Sequence, residues 1–102
     1  MHIPNAMSMG GHVISIQQPV EPIVRQDGKI VLGLARPIKC EILIAHPSVV
    51  GDTKSGEAFL HETIEMADAI YDLNIPHQTI QTLSAAMYQA FSSGKVSFAE
   101  AA

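Results

Sequence analysis

The second half of the chain carries the pattern that most restricts its fold. Apolar side chains recur there at intervals of three and four, which predicts a helix over about 55–72 and a second over about 77–92. Only residues 73–76 lie between them, and Pro76 is suited to the start of a helix. Because so short a connection makes consecutive helices pack antiparallel, we expect a helix hairpin.

The first half is expected to form about three strands. Residues 12–17 alternate in polarity, and two short apolar runs flank Asp27-Gly28, a pair suited to a tight hairpin turn. Residues 40–45 are the strongest strand prediction, and flanking prolines favour a position at the sheet edge. Residues 33–37 interrupt the pattern. The predicted fold class is therefore α+β, with about three strands followed by two packed helices.

Length and composition predict one domain spanning residues 1–102, with flexible ends at 1–10 and 95–102. Apolar residues make up 47% of the chain, but only five residues are aromatic and none is Trp. The core must therefore be built from Ile, Leu, Val, Ala and Met.

Charge and hydropathy argue against two classes of partner. The net charge is −4, and the six Lys and Arg residues are scattered, so the basic stripe that nucleic-acid binding needs is missing. No apolar run reaches the 18 or so residues of a membrane-spanning helix. The single cysteine, Cys40, is typical of a reducing compartment, and we expect a cytoplasmic protein.

The motif His61-Glu62-Thr63-Ile64-Glu65 lies inside the first predicted helix. Side chains at i and i+4 project from one helix face, so His61 and Glu65 are placed to bind one metal ion, with Glu62 beside them. The common spelling of a helical zinc-hydrolase site is H-E-x-x-H. Here Glu stands at the second ligand position, and His77 completes a set of two His and one Glu if it folds back.

Local structure alone also explains these residues. His61 and Glu65 are also compatible with an ordinary polar pair on a solvated helix surface, but the motif and the Pro76-His77 context together favour metal binding. By itself, His77 is simply the first residue of a helix. The metal-site prediction depends on the three residues acting together.

The order of these elements resembles a zincin, in which a strand and a loop precede a helix that opens with Leu60-His61-Glu62. More narrowly, the helical half is similar to small phage- and prophage-encoded zincin-like metallopeptidases. That similarity rests on the H-E-x-x-E motif, on Tyr-Asp-Leu-Asn-Ile-Pro-His over 71–77, and on Leu83 with Met-Tyr-Gln over 87–89. It covers roughly residues 30–91. The resemblance implies a three-stranded sheet on two helices, with zinc in a cleft and a peptide substrate along the edge strand.

The resemblance also implies roles for residues. His61, Glu65 and His77 would bind one zinc ion per chain, and Glu62 would act as the general base. Members of this group often carry an acidic residue where Ser84 stands, so the third ligand is open between His77 and another residue. Candidates for further roles are Asp68 as a partner of a ligand imidazole, and, to stabilise an oxyanion, Tyr71, Tyr88 or Arg36.

Two classes of function follow from these expectations. One is a small zinc metallopeptidase acting on a peptide or protein. The other is a non-catalytic metal-binding or protein-interaction module of phage or prophage origin. A strand at the sheet edge, expected at 40–45, would either accept a peptide or pair with a second copy in a homodimer.

Overall fold

The computed structural model of the chain describes residues 2–94. The strands are β1 (Ala6–Met9), β2 (His12–Gln17), β3 (Ile23–Val24), β4 (Ile30–Val31), β5 (Gly33–Arg36) and β6 (Glu41–Ile44). The helices are α1 (Pro47–Val50), α2 (Asp52–Tyr71) and α3 (His77–Gly94), and a 3-10 turn spans Pro37–Lys39. This arrangement confirms the α+β prediction and the two long packed helices.

Four of the strands form one mixed sheet in the order β1-β2-β6-β5. Its central pair, β2 and β6, is parallel, while β1–β2 and β5–β6 are antiparallel. The other two strands form a separate hairpin, as the Asp27-Gly28 pair predicts. Gly28 has φ +84 in the turn, and its N–H donates to the Arg25 carbonyl over 2.9 Å.

The prediction that residues 40–45 form an edge strand is wrong. Within β6, Ile42 lies opposite Ile16 on one side and Ala35 on the other, so the strand is paired along both edges. Prolines before and after this segment mark where the strand ends, and they do not prevent hydrogen bonding inside it. The outer strands of the sheet are β1 and β5, and a dimer through residues 40–45 has no free strand edge to use.

Two segments that were expected to lack strands contain them. Residues 6–9 belong to the predicted flexible N-terminal segment, but they form β1, with Met7 and Met9 packed against the core. Residues 33–36, which interrupt the apolar pattern, form β5. Each strand is stabilised by pairing with the strand that follows it, β1 with β2 and β5 with β6. Its own four residues therefore carry a weak signal. Residues 95–102 lie outside the described part of the chain.

α2 lies on one face of the sheet and α3 packs against α2, so the core lies between the sheet and α2. Its fully buried side chains include Ile14 from β2, Ile42 and Ile44 from β6, and Met66 from α2. Alternate residues on these strands point to the opposite face, as the period of two requires. Over residues 2–94, no helix has the length and apolar character needed to cross a membrane.

Candidate metal centre

α2 supplies two of the three predicted ligands. His61 Nε2 and Glu65 Oε1 lie 3.7 Å apart, one turn from each other along the helix. Both side chains are mostly buried, with 17% and 33% of their surface exposed. This placement follows from the i, i+4 spacing and needs nothing beyond helix formation.

The connection between α2 and α3 brings the third ligand to them. Asp72 and Asn74 adopt left-handed conformations, at φ +53 and +58, which ends α2 and turns the chain back. Asp68 fixes this connection by accepting a hydrogen bond from the Ile75 N–H at 2.8 Å. His77 then opens α3 with its Nδ1 3.4 Å from Glu65 Oε1.

The spacing and the chemistry of the three side chains suit a bound metal ion such as zinc. Their ligand atoms all lie within 4.8 Å of one another. Zinc bonds of about 2.0–2.1 Å in a tetrahedron place ligand atoms roughly 3.3 Å apart, close to the 3.4 and 3.7 Å separations from Glu65 to the two imidazoles. Burial, together with the neighbouring His77, lowers the pKa of His61 although Glu65 opposes this, which favours the neutral imidazole that a metal requires.

Glu62 lies beside this cluster without belonging to it. Its Oε2 is 4.0 Å from His61 Nε2, and only 12% of its side chain is exposed. Burial, and secondarily the charge of Glu65, raises the pKa of Glu62 to about 7, while a backbone hydrogen bond from Ala35 opposes the shift. A carboxyl group with such a pKa exchanges a proton readily near neutral pH, as a general base must.

The edge strand β5 lies directly over Glu62. The Leu32 carbonyl accepts a hydrogen bond from the Ala45 N–H at 2.8 Å, and ladder bonds alternate along an antiparallel pair. Gly33 and Ala35 therefore point their backbone polar groups away from β6, and the Ala35 N–H is the group that reaches Glu62.

Gly33 is needed for this close approach. A Cβ atom on residue 33 would lie 2.7 Å from Glu62 Cγ and 3.1 Å from its Oε2. Carbon atoms do not pack at 2.7 Å, so any larger residue here must displace the Glu62 side chain or separate α2 from β5.

We predict that Gly33→Ala moves the Glu62 carboxylate while leaving the three metal ligands in place. Overpacking of this kind costs about 1–3 kcal/mol of stability, and any activity that depends on Glu62 should fall by at least tenfold. Metal content and activity measured on the same sample test this.

The matched control is Gly28→Ala, in the exposed hairpin turn, where an added Cβ meets nothing. It strains the turn, since Gly28 has φ +84, but it cannot push on Glu62. Equal activity of the Gly33 variant and the wild type would contradict the prediction.

The cluster opens into a cleft of about 440 Å³ between β5, the β3–β4 hairpin, α2 and α3. Besides His61, Glu62 and His77, it is lined by Arg25, Val31, Leu32, Gly33, Lys54, Glu57, Ala58, Gln81 and Ser84. Ser84 stands where members of the group that this chain resembles often carry an acidic residue. It is buried and donates to the Gln81 carbonyl of its own helix. It lines the cleft but supplies no charged ligand.

The other candidates from the sequence lie elsewhere. Arg36 is paired with Glu41 at 3.1 Å, and neither Tyr71 nor Tyr88 lines the cleft. Tyr88 packs over Gly56, and Tyr71 lies beside Gly10. The expected partner of a ligand imidazole, Asp68, bonds the backbone of the connection instead. It positions His77 through the chain and not through the ring.

Sequence reasoning missed the contribution of β5 and of the cleft-lining cations, Arg25 and Lys54. A usable signal was present in β5, whose Gly-Leu-Ala-Arg sequence alternates small with large residues. Small residues on one strand face allow another element to approach closely. The cations gave no signal, because single charges near a turn or a helix start are common.

Comparison of the chain with protein-family models, with curated proteins and with solved structures finds no match. The fold and the geometry of the cluster are therefore the basis for any functional assignment.

Proposed function

We propose that this protein is a small zinc-dependent hydrolase of the metallopeptidase type, with His61, Glu65 and His77 as metal ligands and Glu62 as general base. The observation that carries the proposal is the convergence of the three ligand atoms within 4.8 Å of one another, from residues as far as 16 positions apart in the chain. Its resemblance to phage-encoded zincin-like proteins belongs to the same proposal, as does a cytoplasmic location.

The donor set suits a catalytic site. Three protein ligands leave one position of a tetrahedral zinc ion open, whereas structural zinc sites use four. When bound, zinc supplies Lewis acidity, which lowers the pKa of water and polarises a carbonyl group. A carboxylate oxygen of Glu62 would then accept a proton from the attacking water. The same group would later return that proton to the departing amine. The positive charge of a zinc ion held by this cluster would lower the pKa of Glu62 and favour the carboxylate that a base needs.

The free edge of β5 supports a peptide substrate. Gly33 lines the cleft and turns its backbone polar groups away from β6, whereas the Ala35 N–H is already bonded to Glu62. An extended chain can therefore add as a further strand at Gly33. Main-chain hydrogen bonds of this kind hold a peptide regardless of its sequence. The carbonyl groups of a peptide held at the cleft would pass close to the cluster.

The second candidate is a metal-binding module without catalysis. It is favoured by one observation, namely that Tyr71, Tyr88 and Arg36, the candidates for stabilising an oxyanion, all lie outside the cleft. Without such a donor, the same cluster would bind metal and a partner peptide but would accelerate hydrolysis little.

Hydrolysis of a mixed peptide library by the zinc-loaded protein distinguishes the two candidates. We expect cleavage that disappears on chelation and returns with zinc. The Glu62→Gln variant should retain about one zinc per chain and lose at least a hundredfold in rate, within the range attributed to a general base. Zinc retention without cleavage by the wild type would favour the binding module. Loss of zinc from Glu62→Gln would contradict the assigned roles.

A further inference from the structure

One wall of the cleft carries a cation in line with the metal ligands. Lys54, Glu57, His61 and Glu65 follow one another at intervals of three and four along α2, so they form one stripe of the helix. Lys54 and His61 both line the cleft. Their spacing of seven residues corresponds to two turns, or about 10 Å along the helix axis.

The charge of Lys54 is available to a ligand. Its side chain is exposed, and within residues 2–94 its ammonium group forms no ion pair, even with Glu57 three residues along the helix. The other cation of the cleft, Arg25, differs. It binds the Asp27 carboxylate through Nε at 3.1 Å and through Nη2, so its charge is already compensated.

The spacing between Lys54 and His61 along α2 can be compared with the rise per residue of an extended peptide. Such a chain advances about 3.3 Å per residue, so a peptide that runs from the metal cluster along the axis of α2 passes Lys54 about three residues away. The whole protein carries a net charge of −4, yet two of its six Lys and Arg residues face this cleft. Because Arg25 is paired with Asp27, the ammonium group of Lys54 is the charge that would offset the repulsion of an anionic peptide by Glu57 and Glu62, which line the same cleft.

We propose that Lys54 selects substrates that carry a carboxylate about three residues to one side of the scissile bond. The carboxylate belongs either to an Asp or Glu side chain or to the free C-terminus of a peptide that ends there. This inference rests on the proposed function, because it takes the metal cluster as the reacting centre.

Binding of fluorescent peptides to the zinc-loaded Glu62→Gln protein, followed by anisotropy, tests the proposal without requiring turnover. The peptides are those that the wild type cleaves or, if none is cleaved, a series of extended decapeptides. Each is made with Glu or Gln at each position, and with a free or an amidated C-terminus. We expect one acidic position, or the free terminus, to tighten binding about tenfold over its neutral counterpart. A further Lys54→Gln change should abolish this difference and leave the neutral peptides unaffected.

Lys39→Gln is the matched control, since it removes the same charge from a residue that does not line this cleft. It should preserve the acidic preference. Equal binding of acidic and neutral peptides, or a preference that survives Lys54→Gln, would overturn the proposal. Either outcome leaves the zinc and cleavage measurements intact, so it is distinguishable from failure of the proposed hydrolase.

Discussion

Zinc added to the metal-free protein should raise its melting temperature by roughly 10–20 °C when free zinc is about 100 times Kd. A ligand that binds only the folded state contributes about 2.7 kcal/mol at that excess, and a domain of this size shifts by about 4–8 °C per kcal/mol. The physical reason is that His61, Glu65 and His77 meet only in the folded chain, since α3 must return alongside α2. Differential scanning calorimetry in chelator, and then in buffered zinc, measures the shift.

The zinc-induced shift in melting temperature of single variants shows which residues bind the metal. His77→Ala and Glu65→Gln should each remove most of the zinc-induced shift, while Glu65→His, which supplies another ligand at the same position, should retain it. His12→Ala is the control, because it removes an exposed imidazole on β2 and leaves the cluster complete. Each variant is compared with its own metal-free form, so a general loss of stability does not affect the measured shift in melting temperature. An undiminished shift in His77→Ala would eliminate it as the third ligand.

Replacing Glu62 by Gln should stabilise the metal-free protein at alkaline pH. The pKa of Glu62 in the folded protein is about 7, above its ordinary value of 4.5, so the folded state binds this proton more tightly than the unfolded state does. The stability that Glu62 contributes is therefore fully present below pH 4.5 and is lost as the pH rises through 7. Gln does not titrate, and the variant should gain about 2 kcal/mol on the wild type between pH 5 and pH 8.

Urea denaturation in the presence of chelator, at pH 5 and at pH 8, measures this difference. Glu57→Gln is the matched control, since it removes a carboxylate from the same helix and the same cleft without removing the buried group over β5. Its stability difference from the wild type should change little with pH. A Glu62→Gln difference that is constant between the two pH values would show that Glu62 is ionised in the metal-free protein at both.

If Glu62 acts as the proposed general base, these two expectations describe a site in which function opposes stability. Glu62 fits under β5 because Gly33 has no side chain. Burial in that position makes the ionised form of Glu62 unfavourable in free energy. A stabilising Glu62→Gln change that also abolishes hydrolysis would be the usual relation between a buried functional group and the fold that contains it.

Local features of the sequence determined the helices and the part of the candidate site that lies on α2. The apolar period of α2 and α3 predicts both helices because an amphipathic face is encoded within each segment. The pairing of His61 with Glu65 follows from the same local geometry. The Asp27-Gly28 turn is also local, since it depends on a left-handed conformation that Gly28 adopts at no steric cost.

Only the tertiary structure decided which strand lies at the edge and how the cluster is completed. β6 becomes an inner strand because it pairs in parallel with β2, whose residues lie about 26 positions earlier, and no pattern within either strand specifies that partner. His77 reaches Glu65 because Asp68 binds the connection and two residues adopt left-handed conformations there. Glu62 acquires its raised pKa from the burial that β5 provides. The strand pairing and the burial of Glu62 depend on contacts between distant segments, whose free energy exists only once the chain has folded. The return of His77 depends on the conformation of the connection between α2 and α3.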